Sequence, residues 1–204
     1  MLLKCFNCSG ELKLPLELKI GDEPSRLLER IGNDLPDSWY FEIGKYKYIP
    51  KSLADYRMIS KIKVKDFKSD FEKFCRTLGE GEEIAIQSRV YDGDRLVGQI
   101  PMIDLMCKPN AEEAKSIKRL MSDFGVSELG FFDSGRGFHC YGMTLFSADK
   151  LFEYFGRLLL VNDTSLPPLV DTRWVGHRML AGYGALRLTF NSKAYKAAPT
   201  LIII

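Results

Sequence analysis

Asp133-Ser134-Gly135-Arg136-Gly137-Phe138-His139-Cys140-Tyr141 is the stretch on which the fold turns. Ser-Gly-Arg-Gly has turn composition, because glycine supplies backbone conformations that other residues resist. Apolar runs flank it, Leu129–Asp133 before and Phe138–Phe146 after, so the segment reads as strand, turn, strand. One of the chain's two histidines sits on the second strand. Upstream, Asn110 opens a helix with Glu113 at the third helical position, the pattern of a capping box. Ala114, Ile117, Leu120, Met121 and Phe124 form its apolar stripe, and Gly125 closes it. Arg95 to Cys107 precedes that helix as a strand-like run. Downstream, Ser147 caps a helix from Ala148 to about Leu160, and Pro167-Pro168 breaks the chain before a strand-like Leu169–Trp174. From residue 98 the order is strand, helix, strand, strand, helix, strand. That is the split β-α-β arrangement of an RNA-recognition-like sheet.

The N-terminal half carries its own pattern. Leu12, Leu14, Leu16, Leu18 and Ile20 alternate as in a strand or hairpin. Pro24–Arg30 predicts a short helix that stops near Gly32 and Asn33. Residues 37–50 interleave Trp39, Tyr40, Phe41, Tyr46 and Tyr48 with lysines, which suits either base stacking or core strands. Asp66 to Leu78 is amphipathic, with Phe67, Phe71, Phe74 and Leu78 on one side and Gly79 at its end. Asp92-Gly93-Asp94 joins two strand-like runs as a hairpin. The expectation is an α/β (α+β) chain of one domain, residues 1–204: an N-terminal α/β module, 1–95, packed on an RNA-recognition-like module, 96–204.

A hydrophobic fraction of 46% and a charged fraction of 27% over 204 residues are those of an ordinary globular protein with one well-built core. The net charge of +2 excludes nothing. From residue 171 onward, however, five basic residues face Asp171 alone, a local excess that suits phosphate. Met1-Leu2-Leu3 runs at once into Lys4, so no signal peptide is read, and no run approaches membrane-spanning length. A cytoplasmic setting without membrane partners is expected. Five irregularly spaced cysteines do not make a disulfide framework. Cys5-x-x-Cys8 has zinc-like spacing, but no second pair stands where four ligands would need it.

The chemistry-bearing residues lie on these elements. Asp104 sits mid-strand in Ile103-Asp104-Leu105, and Asp171 in Val170-Asp171-Thr172. Period-two alternation puts Met102, Asp104 and Met106 on one face, and His139 with Tyr141 and Met143 on another. An unpaired carboxylate mid-strand is costly, so Asp104 faces a cleft, a cation or a metal, or pairs with an arginine. Asp171 either joins it or pairs with Arg173. His139 is a site residue or a satisfied core histidine. Arg136, in a Gly-x-Gly turn, either meets phosphate or stands in solvent. Taken together in one split β-α-β frame, the four suit a metal-assisted nucleotide site.

A strand aspartate, then Ser-Gly-Arg-Gly-Phe-His on a β-turn-β, then a second strand aspartate and an Arg-bearing strand resembles the archaeo-eukaryotic primase superfamily, primase-polymerases included. The resemblance covers roughly residues 60–200. Asp171-Thr172-Arg173-Trp174-Val175-Gly176-His177-Arg178 is also similar to small stand-alone bacterial primase-like proteins. The resemblance implies nucleotidyl transfer. Asp104 and Asp171 would hold Mg²⁺ or Mn²⁺, and His139, Ser134, Arg136 and Arg187 would contact a nucleoside triphosphate. A DNA or RNA template is implied, as are protein partners in a replication or defence assembly. Where the family carries a second acid beside Asp104, this chain has Met106. A thioether is a poor ligand for either ion, so turnover hangs on another acid, with Asp133 the nearest. Without one, the chain is a nucleotide- or nucleic-acid-binding module that has lost its catalysis, or a structural subunit of a larger replication or defence assembly.

Overall fold

The computed structural model describes residues 17–163 and 166–203. The cysteine pair Cys5 and Cys8, and the alternation at Leu12–Leu16, lie outside them. Two antiparallel sheets organise the rest. The first opens with helix α1 (Pro24–Asn33), then strands β1 (Tyr40–Lys47) and β2 (Met58–Lys63), helix α2 (Phe67–Arg76), and strands β3 (Glu82–Asp92) and β4 (Arg95–Gln99). The second contains β5 (Met102–Leu105), helix α3 (Ala111–Asp123), β6 (Leu129–Asp133), β7 (Phe138–Gly142) and helix α4 (Leu151–Leu159). Helix α5 (Thr172–Ala181), β8 (Ala185–Arg187) and β9 (Thr200–Ile203) follow. No helix among the described residues is long and apolar enough to cross a membrane.

The first sheet runs β2-β1-β3-β4, and β8 adds itself to β3 through Ala85↔Arg187, Ile86↔Leu186 and Gln87↔Ala185. The second runs β5-β7-β6-β9. Within it the split β-α-β frame is present, but its last strand has shrunk to a single antiparallel bridge, Leu105↔Val170. The expected strand Leu169–Trp174 is therefore corrected. After Val170 the chain turns into α5, because Asp171 satisfies the first orphan N–H groups of that helix. Gly182, at φ 74°, ends the helix in the left-handed conformation glycine tolerates. β9 takes the opposite edge of the sheet, beside β6.

Arg95 to Cys107 is also corrected, from one strand to two, and the two belong to different sheets. Pro101 stands between them, and proline cannot donate to a ladder. The capping box of α3 is present: Asn110 Oδ1 accepts from Glu112 N and Glu113 N at 3.0 Å each, and Asn110 N donates to Glu113 Oε2 at 2.8 Å. The Asp92-Gly93-Asp94 hairpin is present, with Gly93 at φ 60°.

Alternation along the second sheet decides what faces what. Ile103, Leu105, Phe131 and Cys140 turn toward α3, α4 and α5 and form one core with Ile117, Met121, Phe155 and Val175. Met102, Phe132 and Tyr141 turn the other way and join Leu28, Phe41, Phe67 and Ile86 of the first sheet and its helices. The aromatic segment 37–50 thus serves mainly as strand: Phe41 and Tyr46 are buried, while Tyr48 remains exposed. Asp104 and His139 share the face of Met102 and Tyr141. They therefore sit on the inner side, toward the first sheet.

Candidate active site

At this inner side lies a cavity of about 300 Å³. β5 and β7 bring Asp104 and His139 to it as a directly opposed cross-strand pair. Asp171 arrives from the start of α5, beside Asp104, whose carbonyl accepts the Asp171 N–H at 3.0 Å. β8 contributes Arg187. Four elements, spread over more than eighty residues of sequence, thus meet at one wall.

Burial and the neighbouring Asp171 push the Asp104 carboxyl up to about 7, with Arg187 pulling the other way. Burial, and then the Arg187 charge, depress His139 to about 3, so its ring is neutral. His139 Nδ1 is buried without a partner. Asp171 has a second duty: its Oδ1 accepts from Arg173 N at 2.8 Å and Trp174 N at 3.0 Å. It makes no pair with the Arg173 guanidinium, which reaches across to the Ser52 carbonyl.

Arg187 is almost closed off from solvent and is held from several sides. It donates to the carbonyls of Ser134 at 2.9 Å, Ala197 at 3.0 Å and Thr189, and its guanidinium lies 4.0 Å from the ring centre of Tyr195. Arg187 is a fixed charge whose buried Nε–H is unpaired.

The turn does not supply what its residues suggested. Ser134 is buried, its hydroxyl donates to Gly137 O at 2.9 Å, and its contribution to Arg187 is a backbone carbonyl. Arg136 stands exposed at the turn and is not among the cavity's lining residues. The two glycines answer to packing. Gly135 has φ 88°, and a Cβ at Gly137 would lie 2.2 Å from the Leu105 carbonyl. The turn is therefore nested against the end of β5. Asp133 is also spent locally, accepting from Gly135 N at 2.7 Å. Met106 is 52% exposed and lines no part of the cavity. β5 ends at Leu105, and Met106 N donates to Leu169 O at 2.8 Å, so the two-residue alternation no longer applies there.

The rest of the wall was not among the expected site residues. Arg57 and Asp55 come from the segment before β2, Tyr46 from β1, Trp174, His177 and Arg178 from α5, and Tyr195 from the segment before β9. Read at helical spacing, Asp171, Trp174 and Arg178 fall on one face. The strand assignment hid that relation.

The carboxylates bear on a metal directly. Asp171 raises Asp104, so two like charges compete there, and a cation between them would relieve the conflict. Among the described residues no cluster of three or more His, Cys, Asp or Glu has the arrangement of metal ligands. The set suits one hard ion held by two carboxylates and completed by phosphate oxygens and water.

Residues 63–200 match the family model described as AEP-like, Archaeo-eukaryotic primase 1D-like. Among solved structures, the catalytic domain of primase Repb′ in complex with initiator DNA is similar at a TM-score of 0.52, with 9% identity, over 88% of this chain and 84% of that one. A structure of primase RepB′ gives 0.48, with 10% identity, over 87% of this chain and 56% of that one. Among curated proteins, none matches by sequence. The first of these likenesses, at such low identity, is one of fold.

Proposed function

Because this chain belongs to the AEP-like family, archaeo-eukaryotic primase 1D-like, we propose that its cleft binds a nucleoside triphosphate and adds the nucleotide to a DNA or RNA strand. At the family level it is a primase-type nucleotidyltransferase. One observation carries the finer reading: two acids, a neutral histidine and a fixed arginine, drawn from four separate elements, line a single cavity. In this reading a primer 3′-hydroxyl, or an initiating nucleotide, attacks the α-phosphate and pyrophosphate leaves.

Arg187 supplies a fixed positive charge, and its Nε is free to donate to a phosphate oxygen. Its three carbonyl anchors mean that no reorganisation accompanies the reaction. His139, neutral and with Nδ1 unpaired, hydrogen-bonds the triphosphate. Asp104 and Asp171 would hold Mg²⁺ or Mn²⁺, which supplies charge neutralisation at the phosphate. Ser134 acts through its carbonyl, by positioning Arg187.

The test is incorporation of labelled nucleotide on a primed and an unprimed template, with either ion. DNA is the first template to try, since the similar Repb′ structure holds initiator DNA. Asp104→Asn is expected to lower incorporation by roughly a hundredfold or more. Incorporation unaffected by that change would overturn the assignment. The lack, among the described residues, of any cluster of three or more metal-ligating side chains favours a second reading, in which the cleft grips nucleotide without turnover. Triphosphate binding that depends on Arg187, with no incorporation by the wild type, would select it.

A further inference from the structure

Arg57 and Arg178 make a second cationic centre in the same cleft. Their side chains are only 9% and 2% exposed. They share one counter-ion. The Asp55 carboxylate takes Arg57 Nε at 2.9 and 3.1 Å on its two oxygens, and it also takes Arg178 Nη2. Arg57 Nη1, Arg178 Nε and Arg178 Nη1 remain buried without partners. A buried donor without an acceptor is costly, and a buried charge without a partner more so. One carboxylate therefore serves two arginines, and three donor nitrogens still lack an acceptor.

The centre has a built floor. The stem of Arg57 runs over Gly44 of β1, where a Cβ would meet Arg57 Cβ and Cδ at 3.3 Å. Its guanidinium lies 4.2 Å from the ring centre of Tyr46. Tyr46 and Tyr195 meet hydroxyl to hydroxyl at 3.1 Å, and Arg187 stacks on Tyr195. Two tyrosines thus stand between this centre and Arg187.

We propose that Arg57 and Arg178 form a second anion subsite, specific for a phosphate monoester, for which Asp55 is a displaceable internal substitute. The proposal rests on the reading of the cleft as a nucleotide and nucleic-acid site. The charges select the ligand. A phosphodiester carries one negative charge, no more than Asp55 already provides. A monoester carries about 1.5 to 2 near neutral pH and three acceptor oxygens, enough for both guanidinium groups and their free donors. Asp55 can leave cheaply: it lies in a surface segment where Leu53 and Tyr56 are each 84% exposed. The monoester is the 5′-phosphate of a strand or the terminal phosphate of a nucleotide.

Calorimetry on the full chain tests this with two oligodeoxynucleotides of one sequence, one 5′-phosphorylated and one 5′-hydroxyl, and with a nucleoside triphosphate. The wild type should prefer the 5′-phosphorylated strand or bind the triphosphate, and inorganic phosphate should compete with whichever is bound. Asp55→Asn removes the internal competitor and should tighten monoester binding by about tenfold, while the 5′-hydroxyl strand changes much less. Arg57→Gln should erase the gain. A gain confined to the strand assigns the subsite to 5′-ends, and one confined to the triphosphate assigns it to nucleotides. Equal gains for monoester and 5′-hydroxyl strand would mean a general rise in positive potential and overturn the proposal. So would a wild type with no phosphate-competed binding, a result that depends on no variant folding. Nucleotide incorporation is scored separately. Incorporation without the Asp55→Asn gain sinks this subsite alone, and the gain without incorporation sinks the catalytic reading alone.

Discussion

Asp104 is a carboxyl whose ionisation the fold resists, and the sign of that resistance can be measured. Its folded value of about 7 stands above the ordinary 3.8. The folded state therefore pays for ionising it, not at all in acid and fully above about pH 7. Asp104→Asn should be nearly neutral at pH 4 and stabilising at pH 8. The shift would convert to about 4 kcal/mol, but the group opens onto the cleft, so about 2 kcal/mol is expected. Urea titrations of both proteins at the two pH values check it; a difference that does not grow with pH would contradict the burial argument. His139 has the opposite sense, since its depressed value makes folding less favourable as pH falls from 6.5 toward 3. Met106 is the other residue with a clear expectation. Exposed and off the cavity wall, Met106→Asp should shift stability by no more than about 0.5 kcal/mol and leave incorporation unchanged. A rise in incorporation would show that the side chain reaches the site. Asp104 and His139 were legible because alternation on a strand fixes a face. Met106 was not, because the rule was carried one residue beyond the strand's end.

At the scale of elements, α5 carries the largest surprise and explains it. Asp171 is both a wall of the cleft and the cap of this helix. The two duties separate by substitution. Asp171→Ser keeps a capping oxygen and loses the charge, so stability should hold within a few tenths of a kcal/mol while activity falls. Asp171→Ala loses both and should cost about 1 kcal/mol more, read as a drop in denaturation midpoint. Equal stabilities would mean that the cap contributes nothing. The helix was hidden in the sequence because Val170-Asp171-Thr172 looks apolar and β-branched over three residues. The decisive signals, an N-cap acid and a glycine eleven positions later, act over the whole segment. The turn of the second sheet shows the reverse case. Its strands were legible from Ser-Gly-Arg-Gly, yet the motif's exposed arginine contributes nothing to the cavity wall, and its glycines are required by the Leu105 carbonyl and the chain at Ala197.

Across the whole molecule, the two sheets are tied together by the segment after α5. β8 joins the first sheet and β9 the second, and Arg187 bonds to carbonyls from Ser134 and Ala197 on the way. Leu201 also closes on the N-terminal side, donating to Asp22 O at 2.7 Å and accepting from Gly21 N at 2.8 Å. None of these pairings has a local sequence signature; all but the Arg187–Ala197 bond join residues more than fifty positions apart. This architecture sets an order of events during synthesis. β1, β3 and the helices between them can begin to pair while the ribosome is still translating the second half. The arginine that anchors the cleft has no place to dock until nearly two hundred residues have emerged. A nascent chain therefore carries both acids and the histidine before the cleft can close around them.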